Sequence, residues 1–282
     1  MKVILAESAG FCFGVKRALD IAEETIKNEK GPIYTYGPII HNEQVVRDLE
    51  EKGVMVMPEE SDPADYERGI VIIRSHGVSR EVTEKIEAAG HRVVDATCPF
   101  VGKIHRIVEE KTEAGEKVII IGDETHPEVR GIIGWAKSDD VVAVKNEEEA
   151  RKYSANSGDT VNIVAQTTFN LRKFEDLVEI IKQKGYHIVV LNTICNATEE
   201  RQNEALRLSS IVDAMIVIGG ANSSNSRKLY EICRNNCKAA YFIQCNDDLD
   251  RSRFFDCKTI GITAGASTPY YIIQEVLQGW QR

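Results

Sequence analysis

The chain has 282 residues, 43% hydrophobic and 28% charged, ordinary values for a globular protein with room for two or three domains of about 100–150 residues each. Its net charge of −9 argues against a nucleic-acid or anionic-membrane surface, which would call for clustered lysine and arginine. No apolar run reaches the roughly 18–20 residues of a membrane span, and the opening MKVILAES is too short for a signal-peptide core, so a cytoplasmic location is expected.

The first apolar strand, "KVILAES", runs into "AGFCFG", where Cys12 sits between Gly10 and Gly14. Those glycines read as clearing side chains away from a thiol that something bulky must approach. A helical stretch follows, with Val15, Leu19, Ala22 and Ile26 on one face. The strand "PIYTYG" leads to His41, with Asn42 suited to cap the next helix. Two more strands, "VMVM" and "IVIIRSHG", bring the chain to His76. After further helical sequence, "AAGHRVVDATCPF" carries another strand into a second cysteine, Cys98.

From Cys98 the order repeats. A helix through Val101, Ile104 and Val108 is followed by the strand "VIIIGD", a tip at His126, and a helix with Pro127 at its first position. The strands "VVAV" and "VNIVAQTT" come next, the latter ending on Thr167 and Thr168. "QKGYHIVVLNTICNA" then delivers Cys195 and a third pass. That pass runs through a helix, the strand "AMIVIGG", the cluster Asn222–Ser223–Ser224–Asn225, and the strands "AYFI" and "TIGITAGAS", which end on Ser267. His41 and His126 stand 29 and 28 residues after their cysteines, and the Asn222–Asn225 cluster 27 to 30 after Cys195. The agreement in phase predicts an α/β protein of three pseudo-symmetric units with mostly parallel four-stranded sheets: 13–97, 98–194, and 195–282 completed by residues 1–12.

Ligands of open parallel sheets sit beyond the carboxyl ends of the strands, where helix N-termini point. Three thiols and two sets of polar tips (His41, His126 and Ser223–Asn225, then His76, Thr167 and Ser267) fall at such ends, and a pseudo-threefold arrangement would bring each set to one central cleft. The cysteines suit a zinc ion, an iron–sulfur cluster, or simple core packing. Structural zinc prefers four ligands from close cysteine pairs, which the triad lacks. A 4Fe-4S cluster with three thiolates keeps one iron open. The tips of His, Ser, Asn and Thr read as a cradle for phosphate or diphosphate, and no nucleotide-binding glycine motif occurs. Glu128, two residues past His126, reads either as part of a proton relay or as a solvated first-turn carboxylate stabilised by the helix dipole. Cys233, Cys237, Cys245 and Cys257 read as structural thiols, with a second metal site left open.

The motifs "GFCFGVKRA", "IIHN", "RSHGV", "DATCP", "THPE", "QTT", "CNATEERQ", "NSSNS" and "GASTP", in order over nearly the whole chain, closely resemble the 4-hydroxy-3-methylbut-2-enyl diphosphate reductase family, also called IspH/LytB. The resemblance implies a trefoil of three α/β units around a 4Fe-4S cluster held by Cys12, Cys98 and Cys195. It implies a diphosphate held by His41, His76, His126, Ser223, Ser224, Asn225 and Ser267. It places Thr167 and Glu128 at the hydroxyl end of the substrate, with Glu128 delivering a proton and His126 beside it. The implied reaction is the last step of the non-mevalonate isoprenoid pathway. An allylic alcohol diphosphate loses its hydroxyl by two-electron, two-proton reduction, giving isopentenyl and dimethylallyl diphosphates and water. No flavin or nicotinamide motif is visible, so a separate electron donor such as ferredoxin or flavodoxin is expected as partner, with no nucleic acid and no membrane. The chain ends soon after Ser267, so no appended RNA-binding domain is expected. The rival readings are a pure electron carrier and a non-catalytic diphosphate-binding or zinc protein. A carrier would want four thiolates and no anion cradle.

Overall fold

The structure, a computed structural model, describes residues 1–280. The first pass of the chain forms β1 (Lys2–Leu5), α1 (Phe13–Asn28), β2 (Ile33–Tyr36), α2 (Glu43–Glu50), β3 (Val54–Met57), β4 (Ile70–Ile73), α3 (Arg80–Ala88) and β5 (Arg92–Asp95). The second forms α4 (Pro99–Glu113), β6 (Lys117–Ile121), α5 (Pro127–Ile133), β7 (Val141–Val144), α6 (Glu147–Lys152), β8 (Thr160–Ala165), α7 (Leu171–Lys182) and β9 (His187–Val190). The third forms α8 (Asn196–Ser209), β10 (Ala214–Ile218), α9 (Ser224–Asn236), β11 (Ala240–Ile243), β12 (Thr259–Ala264) and α10 (Tyr270–Gln278).

The strands make three four-stranded sheets, ordered β3-β2-β4-β5, β7-β6-β8-β9 and β11-β10-β12-β1, and the pairings within them are parallel. The inner strands are runs such as "IVII" and "AMIVI", buried throughout because helices cover both faces. Edge strands such as β5 and β9 are exposed at both ends and half-buried in the middle. Helices pack amphipathic faces on these sheets. In α7 the buried residues Phe174, Leu177, Val178 and Ile181 follow helical spacing, and Asn170 caps the start by accepting from Lys173 N.

By compactness the chain divides into two units. A terminal unit gathers residues 1–16, 40–47 and the segment from Cys195 on, with the sheet β11-β10-β12-β1. A middle unit gathers residues 17–39 and 48–194, with the other two sheets.

Within the middle unit one aromatic stack joins the elements after β4 to the end of α5. His105 lies on Trp135 with ring centroids 5.1 Å apart and planes at 14°. The Arg80 guanidinium sits 4.8 Å from the Trp135 ring centre, and Trp135 Nε1 donates to Val78 O at 2.9 Å. Burial pushes the His105 pKa down from 6.5 to about 4, against an opposing pull from Asp95. Folding therefore excludes a proton that the unfolded chain takes up between those pH values. The contribution is full above pH 6.5 and is lost as pH falls toward and through about 4. Wild type should lose about 1–2 kcal/mol more stability than His105→Leu between pH 7 and pH 5, measured by urea unfolding. Equal losses in the two proteins would show that His105 does not drive the acid sensitivity.

Candidate functional site

In each sheet the two central strands flank the point where the chain reverses its direction of winding, and ligand sites of open α/β sheets form beyond such points. The segments leaving these strands carry the polar tips. Those after β4, β6 and β8 carry His76, His126 and Thr167; those after β10 and β12 carry Ser223–Asn225 and Ser267. The segment after β2 carries His41, which belongs to the terminal unit.

The three cysteines share one local geometry. Each precedes a helix, and its carbonyl accepts the first helical bond: from Lys16 N at Cys12, Gly102 N at Cys98 and Glu199 N at Cys195, at 3.0, 2.9 and 3.0 Å. At Cys12 the thiol also accepts from Val15 N at 3.5 Å, a donor of the first helical turn. Cys12 N donates to Ala266 O, beside Ser267, and Cys98 N donates to Ser75 O, beside His76. The three thiols are half-buried and outside any disulfide. Cys98 lines a cavity of about 600 Å³ with Arg17, Arg106 and His105. Half-exposed thiols suit a soft metal centre, because sulfur is the ligand such a centre prefers and these sulfurs can be reached. Gly10 has a role other than clearing space. Its φ of +103° is a conformation that L side chains rarely adopt, and the loop into Cys12 depends on it.

In the terminal unit, Ser223 caps α9, accepting from Ser226 N and Ser226 Oγ at 3.3 and 2.9 Å. Asn225, in the first turn, is 5% exposed, and neither its amide nitrogen nor its amide oxygen has a partner among the described residues. A buried amide left unpaired costs about 1–3 kcal/mol, so this group is set to meet a ligand. Ser267 Oγ donates to His41 O at 3.2 Å, and a Cβ on Gly220 would fall 2.4 Å from that same carbonyl. The His41 segment is thereby seated beside both the β10 and β12 tips. Asn42 caps α2 as expected, its Oδ1 accepting from Gln44 N and Val45 N.

In the middle unit, His76 and His126 meet edge to face with ring centroids 5.6 Å apart. His126 caps α5: its Nδ1 accepts from Glu128 N at 3.1 Å, and Pro127 holds the first position. An accepting Nδ1 carries no proton, so the ring proton of a neutral His126 sits on Nε2. Glu128 is 1% exposed and doubly held: Thr167 N donates to Oε1 at 2.6 Å and Thr167 Oγ1 donates to Oε2 at 2.7 Å. The first-turn carboxylate facing solvent, the simpler reading of Glu128, does not describe this buried pair.

Cys233 is fully buried in the α9 core, where burial and then Cys237 push its thiol up to about 12, and Cys257 is likewise raised by burial. Cys237 donates to Val212 O at 3.5 Å. Among the described residues these late cysteines take no part in a group of three or more close metal donors. The motif CNATEERQ holds one further buried charge, to which the sequence reading gave no role. Arg201 is 5% exposed in α8, whose buried positions are Thr198, Arg201, Gln202, Ala205, Leu208 and Ser209. Polar residues at inward helical spacing just after a candidate ligand were the available signal.

The family model for the LytB protein matches residues 3–281. The chain belongs to the LytB family. LytB relatives at full length include the 4-hydroxy-3-methylbut-2-enyl diphosphate reductase of Caldanaerobacter subterraneus subsp. tengcongensis, 47% identical over 279 residues, covering 99% of this chain and 96% of the relative. The protein of the same name from Alkaliphilus oremlandii is 43% identical, with 98% of each chain covered. A solved structure of the E-1-hydroxy-2-methyl-but-2-enyl-4-diphosphate reductase from Plasmodium falciparum superposes with a TM-score of 0.94 at 31% identity, covering 100% of this chain and 88% of that one. The LytB fold thus has the three parallel sheets described above. No helix among the described residues is long and apolar enough to cross a membrane.

Proposed function

We propose that this chain reduces 4-hydroxy-3-methylbut-2-enyl diphosphate to isopentenyl and dimethylallyl diphosphates, the terminal step of the non-mevalonate pathway, with Cys12, Cys98 and Cys195 holding a 4Fe-4S cluster. Relatives at 43–47% identity carry the name of this reductase, and a solved relative 41% identical bears the name of the terminal enzyme of that pathway. The substrate carbon–oxygen bond breaks, two electrons and two protons enter, and the oxygen leaves as water. When bound, the cluster supplies electrons and an open iron that polarises the substrate hydroxyl. The electrons come from a separate protein of the ferredoxin or flavodoxin class.

The observation that carries the reading is the buried Glu128–Thr167 pair. Loss of a hydroxyl requires a proton at the leaving oxygen, and a carboxyl shielded from water holds one where it is needed. The resting bond runs from the Thr167 hydroxyl to Glu128 Oε2. It reverses once Glu128 takes up a proton: Oε2–H then donates to Thr167 Oγ1 while the Thr167 hydroxyl proton moves to the leaving oxygen. His126 Nε2–H, His41, His76, Ser223, Ser224, Asn225 and Ser267 bind the diphosphate as donors at helix starts and strand ends. Anaerobic purification and assay with a reduced dye and the allylic diphosphate test the whole reading. A brown protein forming both products supports it, and a colourless zinc protein, or an iron–sulfur protein inert toward the substrate, overturns it.

Asn225→Ala isolates the cradle. A hydrogen bond to a charged group contributes about 1.5–3 kcal/mol, so substrate affinity should fall roughly ten- to a hundredfold with the visible spectrum unchanged. Calorimetric dissociation constants within about twofold of wild type would remove Asn225 from the diphosphate site.

A further inference from the structure

Two side chains of α8, the helix that starts at Cys195, grip the loop that ends at Cys12. Glu204 accepts from Glu7 N at 2.8 Å, and from Ser8 N at 2.9 Å and the Ser8 hydroxyl. Arg201, one helical turn earlier, donates through Nη2 to Gly10 O at 2.7 Å and through Nη1 to Ala197 O at 2.8 Å. Those carbonyls lie two residues before Cys12 and two after Cys195, so one guanidinium spans both cysteine segments. Its Nε is buried with no hydrogen-bond partner among the described residues. Burying a cation at 5% exposure is costly, and arginine keeps its proton under such conditions. Burial pulls its pKa down, while Cys12, Glu200, Cys195 and Glu204 pull it back up. Glu204 is engaged with the loop backbone, and besides Glu200 the two cysteines are the groups around Arg201 whose charge a metal centre would bring into play.

We propose that Arg201 is a positioning residue for the metal centre, clamping the Cys12 loop to the Cys195 helix and raising the reduction potential of the bound cluster through its fixed positive charge. This rests on the assignment of Cys12 and Cys195 as ligands. Reduction adds negative charge, and a nearby buried cation favours the reduced form. The clamp matters because the Gly10 turn, at φ +103°, sets the direction in which Cys12 enters α1.

The test uses Arg201→Gln and Arg201→Lys in the full chain. After anaerobic reconstitution, a spectroelectrochemical titration reads the midpoint potential. Hydrogen exchange of the metal-free protein reads the amides of residues 6–16. Arg201→Gln should disfavour reduction by about tenfold, roughly 59 mV for a one-electron couple, whereas Arg201→Lys should stay near wild type. Exchange at residues 6–16 should rise at least severalfold in both variants, because neither retains the forked pair of bonds. Glutamine and lysine variants with the same potential would overturn the electrostatic role, and unchanged exchange in both would overturn the clamp. If wild type takes up no cluster, the ligand assignment fails and the redox role fails with it, while the exchange arm still decides the clamp. If Arg201→Gln does not fold, a wild-type-like potential in Arg201→Lys supports the charge role, and a tenfold shift there overturns it.

Discussion

Serine at Cys12, Cys98 or Cys195 is expected to abolish turnover and strip most of the iron, one residue being sufficient in each case. A hydroxyl is a poor ligand for a soft centre and stays protonated where a thiol does not. With three protein ligands, losing one leaves two, too few to retain a cluster against exchange with solvent. The three sites share their backbone frame, each cysteine carbonyl closing the first turn of its helix, so the three replacements should be equivalent. Cys245→Ser is the control: this thiol is half-buried at the end of β11, outside the repeat. It should retain both iron and activity. Iron analysis and visible spectra of the four variants decide the matter, and equal iron loss in the control would refute the triad.

Glu128→Gln should keep the cluster and the substrate while turnover falls by about 10²–10⁴-fold. The amide preserves the shape of the side chain and can still accept from Thr167 N through its oxygen. It cannot give a proton to the leaving hydroxyl, and hydroxide is a poor leaving group. Because Glu128 is 1% exposed, water has little access to substitute for it. Thr167→Ala should reproduce much of the loss, since it removes the hydroxyl that touches Glu128 Oε2. Single-turnover kinetics at saturating substrate, with substrate affinity measured separately, give the readout. A glutamine variant turning over within a few-fold of wild type would make Glu128 a structural cap and send the search for the acid elsewhere.

The sequence by itself determined the alternation of strands and helices, the cysteines at the start of their helices, and the helix starts at Asn42 and Pro127. These are local properties: apolar runs, capping side chains and a fixed proline φ act within a few residues of themselves, so they leave a signal in the chain. Strand order was decided only in the tertiary structure. β2 and β3 are both short apolar runs, and which becomes central depends on how two helices cover the sheet. The same holds for Gly10, read as a means of access to a thiol and found in a left-handed turn. The pairing of Glu128 with Thr167, 39 residues away, and of Arg201 with Gly10, 191 residues away, has no periodic trace at all. Each depends on one polar atom finding one distant partner inside a core where leaving it unpaired would cost about 1–3 kcal/mol, and that choice is made only when the chain has closed around it.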